Sequence, residues 1–282
     1  MIARAWIPYA LIAPATLFLA ALFLWPLVQT IWLSLASTGT LGLDNYRRML
    51  GDLNFSTAVR NTFLLTLVVV PIQIAMALMM AVMVQKLGRG RDTILWIWTV
   101  PLAVSDLAAG LAWLAILQNS GYLNSALFSL GLIQNQTAWL TYETPWTLFA
   151  GIAIAEIWRA TAIVLVVLVA GLQLIPKEYG EAAEVFGAKP WTRFTRITLP
   201  LLRPSLQSAL ILRTVLAFEV FAVVYALGGR NFPVLVGEAY TWQRDNQNDG
   251  VAAAIAVLIM VFSLTATAIY LRVLKVDPER VG

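Results

Sequence analysis

Five ionisable side chains stand inside long apolar runs: Asp106, Glu156, Arg159, Arg213 and Glu219. A charge at the centre of a membrane helix costs roughly 2.5–3.5 kcal/mol on insertion scales, so each needs a partner or a role. Glu156 and Arg159 are three residues apart, share a helical face and can neutralise one another, as a structural pair or as part of a polar path. Arg213 lies about 14 Å into its run at a rise of about 1.5 Å per residue, too deep to face lipid. It either bonds structurally to backbone carbonyls or to a carboxylate such as Glu156, or belongs to the same path as a substrate-pathway residue. Glu219 follows six residues later among Phe218, Phe221 and Tyr225. A carboxylate acceptor beside aromatic faces suits a sugar, whose edge hydroxyls donate hydrogen bonds and whose C–H faces are weakly polar; the same rings also serve packing. Asp106 either lines this path or caps a helix interrupted near Pro101.

Other chemistries are short of participants. The chain has no cysteine and no histidine, which removes disulfides, thiolate nucleophiles and imidazole as metal ligand or acid–base group. No metal site is expected. A Ser–Lys or paired-aspartate enzyme is compatible with composition, but Asp106 is the only aspartate within an apolar run. The phosphate-cradling GxxxxGK[ST] pattern is absent, so no ATP site is expected on this chain. The net charge of +4 is spread in short groups rather than one patch, which argues against nucleic acid as partner.

The elements that must position these residues are membrane helices. Of 282 residues, 60% are hydrophobic and 12% charged, a balance that would leave a water-soluble domain with large exposed apolar patches. Six runs reach the ~20 residues needed to cross the hydrocarbon, near 9–35, 60–85, 93–117, 146–174, 204–228 and 250–275. The expected fold class is therefore an all-α integral membrane protein in one domain, 1–282, with lipid around it. Pro14, Pro26, Pro71, Pro101 and Gly110 interrupt the first three runs, where kinks or broken helices are expected. The first run is far longer than a signal-peptide core and reads as a retained span.

Positive residues are retained on the cytoplasmic side. With the N-terminus inside, the inner set is Arg4, Lys86, Arg89, Arg91, Lys177, Lys189, Arg193, Arg196, Arg203, Arg272, Lys275 and Arg280. The outer set is Arg47, Arg48, Arg60, Arg230 and Arg244. Both termini are thus expected in the cytoplasm. The outer segments 36–59, 118–145 and 229–249 read as polar-aromatic loops too small for their own core. Trp6, Trp25, Trp139 and Trp146 read as interfacial anchors, and Gly228-Gly229 as a turn that is either exposed or folded back into the pore.

One inner segment, 176–204, is neither apolar enough to insert nor simple enough to be disordered. Proline at 176, Glu178 and Glu181 early, and Gly187 late are start and stop signals of a short helix. Tyr179, Ala182, Ala183 and Phe186 then share one face, with small residues between two aromatics. That stripe either docks a partner protein, which could approach closely at its centre, or packs on the ends of the chain's own spans.

The order Glu181-Ala182-Ala183, three residues, Gly187, nine residues, Ile197-Thr198-Leu199-Pro200 resembles the EAA loop of binding-protein-dependent ABC importer permeases. The segments VPLAVSD, GYLNSAL, EIWRATA, AGLQLIP and GVAAAIAVL resemble the maltose-type carbohydrate permeases, so the likeness covers nearly the whole chain. The segment from Arg213 to Pro233 follows the pattern but has Ala222 where an acidic residue is common, and GGRNFP in place of GGGP.

The resemblance implies a coupling helix, carrying Tyr179, Glu181, Ala182, Ala183, Phe186 and Gly187 and followed by Ile197, Leu199 and Pro200, that seats in a groove of a cytoplasmic ATPase. It implies two ATP-binding subunits holding ATP and Mg, a second homologous permease, and an extracytoplasmic solute-binding protein met by the outer segments. It further implies the plasma membrane of a prokaryote and a sugar as cargo, a disaccharide or glycoside, with a glycerol phosphodiester or polyol as the alternative. A secondary transporter is the other alternative, but no internal repeat of the kind common in that class is visible.

Overall fold

The computed structural model describes residues 7–37 and 40–274. Arg4, Trp6, Lys275 and Arg280, and with them the expected placement of the two termini, lie outside the described residues.

The first apolar run is one helix in three parts: α1 (Ile7–Leu19), a π-helical turn (Ala20–Leu24) and α2 (Trp25–Leu35). The π turn falls just before Pro26, which has no N–H to give to the preceding turn, and the widened turn absorbs the mismatch. Two-residue strands, β1 (Ala36–Ser37) and β2 (Thr40–Leu41), pair antiparallel with Ala36 opposite Leu41. After the short α3 (Asp44–Leu50), α4 (Phe55–Gln85) runs unbroken through Pro71 and begins earlier than hydropathy indicates. Asn45 of α3 closes the end of α2: its side-chain amide donates to the carbonyls of Leu33, Ser34 and Ala36, which have no partner further along the helix.

The third run breaks. Helix α5 (Arg91–Thr99) passes into a 3₁₀ turn (Val100–Ala103) and then α6 (Asp106–Leu117), followed by α7 (Tyr122–Ser129), with a bend of 97°. Pro101 sits in that turn, and Ser105 caps α6 by accepting from the Ala108 N–H at 3.2 Å. The fourth run is the straight α8 (Pro145–Gln173). Next come α9 (Lys177–Val185), α10 (Pro190–Arg193), a π turn (Phe194–Thr198), α11 (Leu199–Leu201) and α12 (Arg203–Phe218). The fifth run also breaks, at Glu219–Phe221, where α13 (Ala222–Gly228) departs at 46°. The chain closes with α14 (Leu235–Arg244) and α15 (Asp249–Val273).

Among the described residues four helices are long and apolar enough to cross a membrane, and the count rises to six if each bent pair is one span. Helix α8 is the axis: 61% of its most apolar stretch is buried, against none for the first helix. It packs along α4, while α2 lies along α15 and α6 crosses α13. One apolar cluster joins α4, α8 and α13 around Ile152 and Val223; a second joins α4, α8 and α12 around Leu168 and Leu202. A third holds α3, α14 and α15 around Leu235 and Ile255.

The α6–α13 crossing depends on Gly110. A Cβ there would stand 2.7 Å from that of Ala226 and 3.1 Å from the Val223 Cα. Gly110→Leu is expected to cost roughly 1–3 kcal/mol through overpacking, read as a lower melting temperature of the purified protein, with Gly110→Ala smaller and of the same sign.

The segments between the apolar runs are more ordered than the loops their composition indicates. Asn124 of α7 donates to the carbonyls of Asn119 and Thr137 and accepts from the Trp139 indole at 3.0 Å. Trp139 therefore organises its own segment, whereas Trp146 is exposed. After Gly229 the chain is not an exposed turn: Phe232, Val234 and Leu235 are buried, the Leu235 N–H reaches Thr62 Oγ1 at 3.0 Å and Asn61 donates to the Pro233 carbonyl.

Candidate functional site: a buried ion chain, a polar cleft and an uncovered helix

Four of the five intramembrane charges meet in one chain of contacts. Arg213 of α12 donates through Nε to Gln73 Oε1 of α4 at 2.5 Å and through Nη2 to Glu156 Oε2 of α8 at 2.9 Å. Gln73 in turn donates to the Glu156 backbone carbonyl at 2.8 Å. One turn along α8, Arg159 contacts both Glu156 oxygens through Nη2, at 3.4 and 3.3 Å, and Asp106 Oδ1 through Nη1 at 2.6 Å. The expected i,i+3 pair forms, and Arg213 takes the carboxylate rather than carbonyls. The cap of the interrupted helix is Ser105, which leaves Asp106 to line the cleft.

The chain runs from the interior to an accessible surface. Arg213 and Glu156 side chains are 2% exposed, Arg159 is 18% and Asp106 56%. Two buried charges lose several kcal/mol of hydration each, and the bonds to Gln73 and Arg159 offset part of that cost. Gln73 carries no charge and so does not stand out among the intramembrane ionisable residues; its signal in the sequence is a lone amide in the apolar stretch Val70-Pro71-Ile72-Gln73-Ile74.

Above the ion chain lies a cleft of about 210 Å³ between the 3₁₀ turn at Pro101, α6, α8 and α12, into which Asp106, Arg159, Arg213, Leu216 and Glu219 contribute. Glu219 is exposed, sits at the C-terminus of α12 where the fifth run breaks, and forms no ion pair among the described residues. Phe221 and Tyr225 lie just past the break with ring centroids 5.3 Å apart, and Tyr240 of α14 joins them at 5.3 and 6.1 Å. Phe218 does not join them. It is buried and packs against Phe63 and Phe262. Tyr240 escaped sequence reasoning because its segment reads as a polar loop.

Beside this surface, Glu238 of α14 is buried in a segment outside the apolar helices. Burial pushes its carboxyl above the ordinary value, the Asp52 charge adds to the shift and Arg230 opposes it. A raised folded-state pKa means that the folded form holds the proton more tightly, so this stabilisation is complete below the ordinary glutamate value and is lost as pH rises through the raised one. The protection of α14 amides, corrected for intrinsic exchange, is expected to fall as pH rises above the ordinary glutamate value, and Glu238→Gln to flatten that dependence.

The short helix forms where expected. Helix α9 starts after Pro176 and ends in a Schellman motif: Gly187 has φ of +75°, its N–H bonds to the Glu184 carbonyl, and the Ala188 N–H to the Ala183 carbonyl, both at 2.9 Å. Arg193 of α10 pairs with Glu184 at 2.6 Å. No α9 residue is buried: Tyr179 and Phe186 are 54% and 89% exposed, Glu181 and Ala182 are exposed and Ala183 is half-buried. Among the described residues, the chain's own helices leave the stripe uncovered. Ile197, Leu199 and Pro200 are half-buried in the π turn and in α11, which lead without a loop into α12.

Comparison with known proteins completes the description. The chain is 33% identical over 276 residues to the trehalose/maltose transport system permease protein MalF of Thermococcus litoralis, covering 94% of this chain and 92% of that one. It is likewise 33% identical to the sulfoquinovosyl glycerol transport system permease protein of Agrobacterium fabrum, over 94% and 89% of the two chains. A chain in the crystal structure of a bacterial ABC transporter that imports the acidic polysaccharide alginate shares the fold, with a TM-score of 0.81 over 97% and 96% of the chains at 22% identity. Residues 73–275, which carry the ion chain, the cleft and α9, match the family model for the binding-protein-dependent transport system inner membrane component. The chain therefore belongs to the family of membrane permease components of binding-protein-dependent ABC transport systems.

Proposed function

We propose that this chain is the permease subunit of an ATP-driven importer for a sugar, a disaccharide or glycoside, and that it forms half of the translocation pathway. The observation that carries the reading is mechanical: the uncovered stripe on α9 continues through α11 into α12, the helix that bears both Arg213 and Glu219. A push received at Tyr179, Glu181, Ala182, Ala183 or Phe186 is thereby delivered to the cleft. Relatives named for trehalose and maltose and for sulfoquinovosyl glycerol support a glycoside as cargo.

In this reading each bent pair is one span, all 282 residues form a single six-span domain, and both termini face the cytoplasm of a prokaryote. Two ATP-binding subunits carry the ATP and Mg, and their closure moves α9; this chain performs no hydrolysis itself and binds no metal. A second, homologous permease supplies the other half of the pathway, and a soluble binding protein delivers cargo to the side bearing α3, α7 and α14. Within the pathway Glu156, Arg159 and Arg213 form the polar wall and Glu219, Phe221 and Tyr225 meet the sugar, while Phe218 stays in the core against Phe63 and Phe262.

The reading is tested by purifying the chain with whatever assembles on it and screening sugars for stimulation of ATP hydrolysis in the presence of the binding protein. Recovery of an ATPase stimulated by one glycoside is expected; a chain that transports without any ATPase would be a secondary transporter. In the same complex Glu219→Gln and Tyr225→Phe are expected to raise the sugar KM, and unchanged transport in both would remove those residues from the pathway.

A further inference from the structure

The charge balance of the cleft specifies its ligand more narrowly than "sugar". Three carboxylates, Asp106, Glu156 and Glu219, stand against two guanidinium groups, Arg159 and Arg213. Both guanidinium groups are already committed: Arg213 to Glu156, and Arg159 to Glu156 and Asp106. Glu219 alone has no ionic partner among the described residues. What remains for a ligand is the exposed carboxylate of Glu219; the two N–H groups without protein partners, Nη1 of Arg213 and Nε of Arg159, are buried out of a ligand's reach.

A free carboxylate beside guanidinium groups that are already paired matches a hydroxyl, which donates to it. It does not match an anion. A phosphate, sulfonate or carboxylate would have to displace Asp106 or Glu156 from its guanidinium and then sit beside Glu219, where poor screening makes like charges repel strongly. The neighbouring surface agrees. Tyr225 and Tyr240 are 50% and 39% exposed and stand with Phe221 as three rings from two elements. Such rings suit the C–H face of an uncharged pyranose.

We propose that this half of the pathway takes an uncharged saccharide and rejects anionic ones, with Glu219 receiving its hydroxyls and Tyr240 completing the aromatic wall. The proposal rests on the reading of the cleft as part of the cargo path, and its test separates the two.

The chain contains no cysteine, so a single Leu216→Cys, or Ile163→Cys as a second position on the same cleft, reports access there. The measurement is its rate of modification by an uncharged thiol reagent in the assembled complex, with the partner subunits freed of reactive cysteines. Matched pairs are added: trehalose against trehalose 6-phosphate, and maltose against maltobionate. A neutral member is expected to slow modification by about tenfold at a concentration that fills nine-tenths of sites, its charged counterpart not at all. Addition of Tyr240→Ala to the reporter is expected to weaken that protection. Equal or better protection by the charged member would overturn the selectivity while keeping the cleft. Absence of protection by any of the four, at both positions, would overturn the cleft as a cargo site and the proposal with it.

Discussion

Ala183→Trp is expected to abolish sugar-stimulated ATP hydrolysis and uptake while leaving the protein inserted and folded. Ala183 lies on the α9 stripe between Tyr179 and Phe186, and no apolar helix of the chain covers that stripe. The substitution costs the helix itself only a few tenths of a kcal/mol in propensity, and its carbonyl still accepts from Ala188. At a close-fitting interface, by contrast, an indole in place of a methyl group overfills by about 1–3 kcal/mol, a loss of roughly 5- to 150-fold in association. Recovery of the ATPase subunits on the tagged permease and uptake in vesicles are the two readouts. Ala183→Ser, which adds one oxygen, is expected to retain both. Normal assembly and transport by the tryptophan variant would show that α9 is not the docking element.

Glu156→Leu is expected to have the largest effect on folding. It strips the carboxylate from Arg213, buried at 1% exposure, and from the Nη2 of Arg159. Removing one partner of a buried pair costs about 3–5 kcal/mol, which is read as loss of monodisperse protein on detergent size exclusion after mild heating. The double variant Glu156→Leu, Arg213→Leu removes both charges and is expected to recover most of that stability, because apolar replacement of a buried pair is often neutral or stabilising. Transport is expected to stay lost in the double variant, since the cleft loses Arg213 from its lining and Arg159 loses its Glu156 partner. A double variant that both folds and transports would reduce the ion chain to scaffolding.

The parts of this molecule that sequence reasoning reached are those whose cause is local. Helix α9 is legible because Pro176 and Gly187 start and stop it through their own backbone preferences. The Glu156–Arg159 pair follows from spacing on one helix. The break at Pro101 is announced by the ring that causes it. What escaped is set by distant neighbours. Gln73 matters because α12 brings Arg213 against it across 140 positions of sequence. The break after Phe218 contains neither proline nor glycine, and α13 turns aside where α6 packs against it through Gly110. Helix α14 reads as a loop because the residues that bury Leu235 and Glu238 belong to α4 and α15.

The two bends differ in one respect that bears on how the molecule works. At Pro101 the nitrogen carries no hydrogen, and no rearrangement can give that turn its missing bond. Between Glu219 and Phe221 every nitrogen keeps its hydrogen, and the departure from helix rests on rotatable backbone angles, with Phe221 at φ −143° and ψ −64°. The second bend therefore has a continuous helical alternative in which every backbone N–H could be satisfied. Straightening α12 into α13 would restore the interrupted ladder and carry Glu219 and Tyr225 around the helix axis together, so the two residues proposed to meet the sugar would move as one.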